Sequence, residues 1–173
     1  MNIELRRQVM RAKDPKILFI GKGLVCDGAT FYDTGFAPFS TDDASTDFKI
    51  TLRLSSYTYD VAQAVILGCK YEGTLSGQQW PGIYVRSNGN SKFDVGGYNY
   101  YQPTVANLLN KNFYIWRKGG KWYAQIEGET QRSLSVRVAT FNQNLVIGAG
   151  VQPDGSKFRY SKCVIDYIRI ELI

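Results

Sequence analysis

A chain of 173 residues without a single histidine has no imidazole for a Ser/His/Asp or Cys/His nucleophile, for a His-containing zinc site or for the commonest general base near neutral pH, so any catalysis would have to run on carboxylates. The length suits one domain, because about 150 residues bury roughly 68–70% of their unfolded surface and need no covalent staple. The formal charge of +6 is uneven, +4 on residues 1–22 and +2 on the rest; the basic stretch lacks long Lys/Arg blocks with interleaved aromatics and reads as a solvated attachment arm, with no nucleic-acid partner.

In chain order, residues 2–13 read as a short helix with Ile3, Leu5, Val9 and Met10 as apolar positions and Asp14-Pro15 as its stop. The start, Met1 to Arg7, is too charged for a signal-peptide core, and nowhere do about 18 apolar residues run together, so synthesis in a cytoplasm and no membrane insertion are expected. A run Ile17–Ile20 and the break Gly21-Lys22-Gly23 put the boundary after residue 22: an arm over 1–22 and one domain over 23–173. Cys26, Cys69 and Cys163 each sit in an apolar run, which reads as buried free thiols.

From residue 47, short β-prone runs follow one another: Asp47–Leu54, Ala62–Tyr71, Gly82–Arg86, Lys92–Val95, Asn112–Arg117, Trp122–Ile126, Gln131–Val138, Leu145–Ala149 and Ser161–Leu172. Turn residues such as Gly119-Gly120 and Pro153-Asp154-Gly155 separate them, with no long helical pattern between. Phe48, Ile50, Leu52 and Leu54 alternate with polar neighbours, giving that strand one buried face. The expected fold is all-β, a two-sheet antiparallel sandwich carrying a short N-terminal helical arm. Trp116 and Trp122 flank the Gly119-Gly120 turn and are expected to pack across it as structural residues.

Three segments carry a resemblance: Asp27–Gly35 followed by Asp47-Phe48-Lys49-Ile50, the hairpin Tyr114–Gly128, and the closing pair Leu145–Gly150 with Cys163–Ile170. Over about residues 24–173 the chain resembles the concanavalin A-like lectin/glucanase superfamily in its laminin-G-like jelly-roll form. That resemblance implies a jelly roll of the kind found in phage tail and baseplate proteins: a virion adhesin, extracellular on the particle, whose partners are a bacterial surface glycan, other virion proteins through the N-terminal arm, and further copies of itself. The glucanase Glu-Xaa-Asp-Xaa-Xaa-Glu strand is missing, and Glu127 and Glu129 read as a solvated pair at a hairpin end. The legume-lectin metal loop is missing too. The acidic loop Asp42–Asp47 reads as turn chemistry before it reads as a calcium site, and no cofactor is expected.

With chemistry largely excluded, the aromatics carry the functional reading. A sugar offers an apolar C–H face and a rim of hydroxyls, so its binder needs a flat ring beside amides or a guanidinium. Gln78, Gln79 and Trp80 meet that description, as do Tyr98, Asn99, Tyr100, Tyr101 and Gln102; Tyr57, Tyr59 and Arg86 are further candidates, and Trp80 leads the set. The expectation is a non-catalytic carbohydrate-binding module. Two alternatives stay open, a structural virion component without glycan binding and an enzyme using Asp94, Glu127 or Asp154.

Overall fold

The computed structural model describes residues 16–40, 45–60, 62–70, 73–75, 77–79, 82–89, 91–96, 101–151 and 154–173. One sheet has six strands in the order β1 (Ile17–Asp27), β15 (Lys162–Leu172), β3 (Phe48–Thr58), β9 (Asn112–Lys118), β10 (Lys121–Ile126) and β11 (Arg132–Leu134). The other has five, β2 (Tyr32–Asp33), β12 (Val146–Ile147), β4 (Val65–Lys70), β7 (Gly82–Asn88) and β8 (Lys92–Gly96). Every pairing within them is antiparallel. Two ribbons, β5 (Thr74–Leu75) with β6 (Gln78–Gln79) and β13 (Gly150–Val151) with β14 (Lys157–Phe158), and one helical turn, α1 (Val105–Leu108), complete the described elements.

The two-residue period dictates the packing. Phe48, Ile50, Leu52 and Leu54 of β3 face inward with Phe113 and Ile115 of β9 and Trp122, Ala124 and Ile126 of β10. Leu67, Cys69, Ile83, Val85, Phe93 and Val95 meet them from the five-stranded sheet in one continuous core. Each aliphatic side chain so buried contributes about 1.5–3 kcal/mol. An aromatic cluster closes one end: Phe39 stacks on Trp122 (5.5 Å) and Phe141 (5.1 Å), and Phe48 meets Trp122 and Phe36 edge-on. Cys26, Cys69 and Cys163 are buried and free, the first and last directly opposite each other across β1 and β15.

Four sequence expectations need correction. The Gly21-Lys22-Gly23 break does not interrupt β1, which pairs with β15 on both sides of it, so a boundary after residue 22 falls inside a strand. Gly21 is there for space: a Cβ would come within 2.7 Å of Leu24 and 3.1 Å of Ile168. The strand expected over Gln131–Val138 is only β11, because beyond it the chain turns into the core, where the Phe141 N–H donates to the Phe39 carbonyl. The strand expected over Leu145–Ala149 shortens to β12, since Gly148 adopts a φ of +87°. Trp116 and Trp122 do not pack together. Trp116 lies opposite Tyr123 and Trp122 opposite Arg117, so the two indoles project from opposite faces of the sheet. The helix expected over residues 2–13 lies outside the described residues.

The two tryptophans therefore differ in what they stabilise. Trp122→Ala is expected to cost about 3–5 kcal/mol and Trp116→Ala about 1 kcal/mol or less, read by urea unfolding of each variant.

Candidate functional site

On the five-stranded sheet, the register sets one row of side chains on the face away from the core: Val65, Gly68 and Lys70 of β4, Tyr84 and Arg86 of β7, and Asp94 of β8. Leu67 and Val85 take the inward positions between them. This outer face is not bare. The chain leaves the sheet at Gly148, whose N–H donates to the Ile66 carbonyl (2.8 Å), and returns at Arg159, whose carbonyl accepts from the Val65 N–H (2.8 Å). Between those points β13 and β14 fold over it, with the Phe158 ring against Gly150, where a Cβ would stand 2.8 Å from the ring.

Cations and aromatic rings gather on this face. Arg86, directly opposite Asp94 in the register, holds it as a buried ion pair at 3.5 Å, and the same carboxylate accepts from Asn88 Nδ2 and Gln102 Nε2, both at 2.8 Å. Two amide donors and the ion pair on one carboxylate offset the loss of water that makes a buried charge costly. The Tyr84 ring is buried beneath two cations, Lys70 Nζ at 4.4 Å and the Arg86 guanidinium carbon at 4.6 Å from its centroid. Arg159 adds a third cation, its guanidinium 5.0 Å from the Phe158 ring, on a backbone with φ of +50° that a side-chain-bearing residue rarely adopts. Lys70, Tyr84, Arg86, Phe158 and Arg159 line a narrow crevice of about 10 Å³, room for about one water molecule and far below an enclosed small-ligand site, so these side chains meet a ligand only at its mouth. Lys70, Arg86 and Arg159 thus bring three cationic side chains to one mouth.

The sequence candidates divide. Arg86 lies in the cleft wall, and Gln102 is joined to it through Asp94. Tyr57 packs edge-on against Phe93 at 4.9 Å with its hydroxyl out of water, and burial pushes its phenol up. Tyr59 is 41% exposed at the end of β3. Tyr101 bridges Val95 and packs against the core. Gln78 and Gln79 form β6, with Gln78 exposed. Trp80, Tyr98, Asn99 and Tyr100 lie outside the described residues; their segments adjoin Gly82, which begins β7, and Gly96, which ends β8 opposite Tyr84. Lys70, Tyr84 and Arg159 escaped the sequence reading. Tyr84-Val85-Arg86 carried a usable signal, since alternation puts both polar residues on one face, whereas nothing local marks Arg159.

The carboxylates weighed for catalysis are held in structural bonds. Glu127 accepts from the Asn112 N–H, Glu129 from the Tyr101 hydroxyl, and Asp154 from the Ser156 N–H and hydroxyl. Of the acidic loop, Asp47 accepts from the Gly119 N–H, and residues 41–44 lie outside the described residues. Among the described residues no group of three or more Cys, Asp and Glu is arranged to hold a metal ion.

No protein-family model matches the chain, and neither does any curated protein sequence. Solved structures do. The chain is similar to a NanB sialidase from Streptococcus pneumoniae (TM-score 0.61, 10% identity, 91% of this chain and 27% of that one). It is similar to the CBM40 of Ruminococcus gnavus IT-sialidase bound to α2,3-sialyllactose (TM-score 0.55, 13% identity, 90% and 91%). A leech intramolecular trans-sialidase is a further match (TM-score 0.56, 11% identity, 91% and 26%). The chain thus spans about a quarter of the sialidase chains and nearly all of the CBM40. At these identities the likeness is one of fold, a lectin-like antiparallel β-sandwich.

Burial, and then the hydrogen bond to Glu129, push the Tyr101 phenol from its ordinary 10.0 up to about 12. Between those values the unfolded chain gives up its proton first, so stability falls as pH rises through that window. Urea unfolding at intervals across it is expected to give a flatter pH slope for Tyr101→Phe than for the unaltered chain.

Proposed function

We propose that this chain is a non-catalytic carbohydrate-binding module that takes an acidic sugar across the mouth of the crevice lined by Lys70, Arg86 and Arg159. The observation that carries the reading is the convergence of Lys70, Arg86 and Arg159 from three separate segments around the Tyr84 ring. A guanidinium held by Asp94 is already oriented, so little rotamer freedom is lost when it meets a carboxylate. The CBM40 of similar fold, which covers the same extent of chain, is bound to sialyllactose, a carboxylated sugar, and this supports the ligand class. Asp94, Glu127 and Asp154 each serve a structural bond, which favours binding over hydrolysis.

The finer part of the proposal is an adhesin on a phage tail or baseplate that recognises a bacterial surface glycan. It rests on the opening motif Asp27–Gly35 and the basic arm. Asp27 caps its own turn by accepting from the Ala29 and Thr30 N–H groups, and this fixes the local shape of that motif. So shallow a site binds weakly on its own, and copies assembled through the basic residues that precede β1 gain roughly 10²–10⁴ in avidity. Labelled protein that coats whole bacteria, and loses the ability when residues 1–15 are removed, is the outcome this part requires.

Arg86 is not the clean probe, because its removal leaves Asp94 charged and buried. Arg159→Gly is, since glycine accepts the positive φ without strain and the folded state is kept. Calorimetric titration is expected to show α2,3-sialyllactose binding where neutral lactose does not. Arg159→Gly should weaken it at least about tenfold while leaving stability unchanged or raising it by up to about 1 kcal/mol. Equal binding of lactose, or an Arg159→Gly variant with full affinity, contradicts the reading.

A further inference from the structure

The opposite face of the molecule, the outer surface of the six-stranded sheet, carries chemistry that the cleft does not use. In register across β3, β9 and β10 stand Lys49, Trp116 and Tyr123 in one row and Thr51, Tyr114 and Gln125 in the next. Trp116 stacks on Tyr123 with ring centres 5.4 Å apart and planes 22° apart, and Lys49 Nζ lies 4.5 Å from the Tyr114 ring centre. Gln125 is anchored by donating Nε2 to the Glu129 carbonyl (2.8 Å), which leaves its Oε1 as an acceptor. These side chains, with Lys118 and Ile173, line an open trough of about 260 Å³, far roomier than the crevice on the other sheet.

The charges on this face separate into two halves. Toward β15, Arg53 pairs with Asp166 and Arg169 with Glu171. In the trough, Lys49 stands across from Glu171 in the register, but that carboxylate is held by Arg169, and neither Lys49 nor Lys118 has a carboxylate within ion-pair distance among the described residues. A solvent face needs no tryptophan, and a stacked aromatic pair flanked by unneutralised ammonium groups offers a flat apolar floor with an anion-seeking rim. Stacking and charge together fit a sugar ring that also carries an anion, and the open, elongated shape fits a chain of such rings in place of a single terminal one.

We propose that this trough is a second binding site, for an anionic polysaccharide chain, laid over Tyr114, Trp116 and Tyr123 with its carboxylates or phosphates at Lys49 and Lys118. It does not depend on the acidic-sugar cleft, and the two sites face opposite ways. One module could therefore hold a terminal sugar on one side and a polymer backbone on the other.

The test is retardation of the full chain in affinity gels containing polygalacturonate, poly(glycerol phosphate) or neutral dextran. Retardation by a polyanion and not by dextran is expected, and which of the two polymers acts identifies carboxylate or phosphate as the anion. Trp116→Ala, and separately the double variant Lys49→Gln/Lys118→Gln, should each weaken retardation about three- to tenfold, while Arg159→Gly leaves it unchanged. The lysine variant keeps the test open should Trp116→Ala fold poorly. Four results would overturn the proposal: no retardation by either polyanion; retardation unchanged in both variants, which would assign it to the basic residues 1–22; a matching loss in Arg159→Gly; or self-association in sedimentation that Trp116→Ala abolishes, which would make the face a contact between copies.

Discussion

The outer face of the five-stranded sheet is organised by one ion pair, Arg86 with Asp94. Two adjacent antiparallel strands place them directly opposite, in a position sheltered from water, and a sheltered charge is tolerated only when its partners are complete. Asn88 and Gln102 complete them. The first comes from β7 itself and the second from the segment beyond β8, where Tyr101 and Thr104 also bridge back to that strand. Satisfying one carboxylate thus fixes the guanidinium over Tyr84, gives the cleft its wall and binds the following segment to the sheet edge.

The fold was legible because antiparallel sheets write their faces into the sequence. The alternation of Phe48, Ile50, Leu52 and Leu54, the Gly119-Gly120 hairpin and the closing run to Leu172 gave strands within a few residues of those observed. Errors arose where a glycine serves packing instead of a turn. Gly21 lies inside β1 because Leu24 and Ile168 leave no room for a Cβ, and composition cannot distinguish that from a break. The shortened β11 reflects a tertiary demand, the docking of Phe141 on Phe39, that overrides local strand propensity.

The site was less legible, for a physical reason. Loop aromatics can be seen in a sequence, whereas a cluster assembled across strands cannot. Arg86 was found as a residue beside a turn, but what gives it meaning is Lys70 from β4 and Arg159 from the far end of an excursion, 89 positions later in the chain. Arg159 reaches the cleft through a left-handed backbone pinned to Val65, and no sequence signal announces that geometry. Tyr57 and Tyr101, also read as ligand candidates, make framework contacts that no local pattern announces, one against Phe93 and the other through Glu129.

The central claim is that an acidic sugar sits on the outer face of the five-stranded sheet. Titrating sialyllactose into ¹⁵N-labelled protein and following amide chemical shifts tests it most directly. The account predicts saturable shifts clustered at Gly68, Lys70, Tyr84, Arg86 and Arg159, with Trp116 and Tyr123 unmoved. Shifts confined to Tyr57, Tyr59 and Gln78, or none at any concentration, would contradict it.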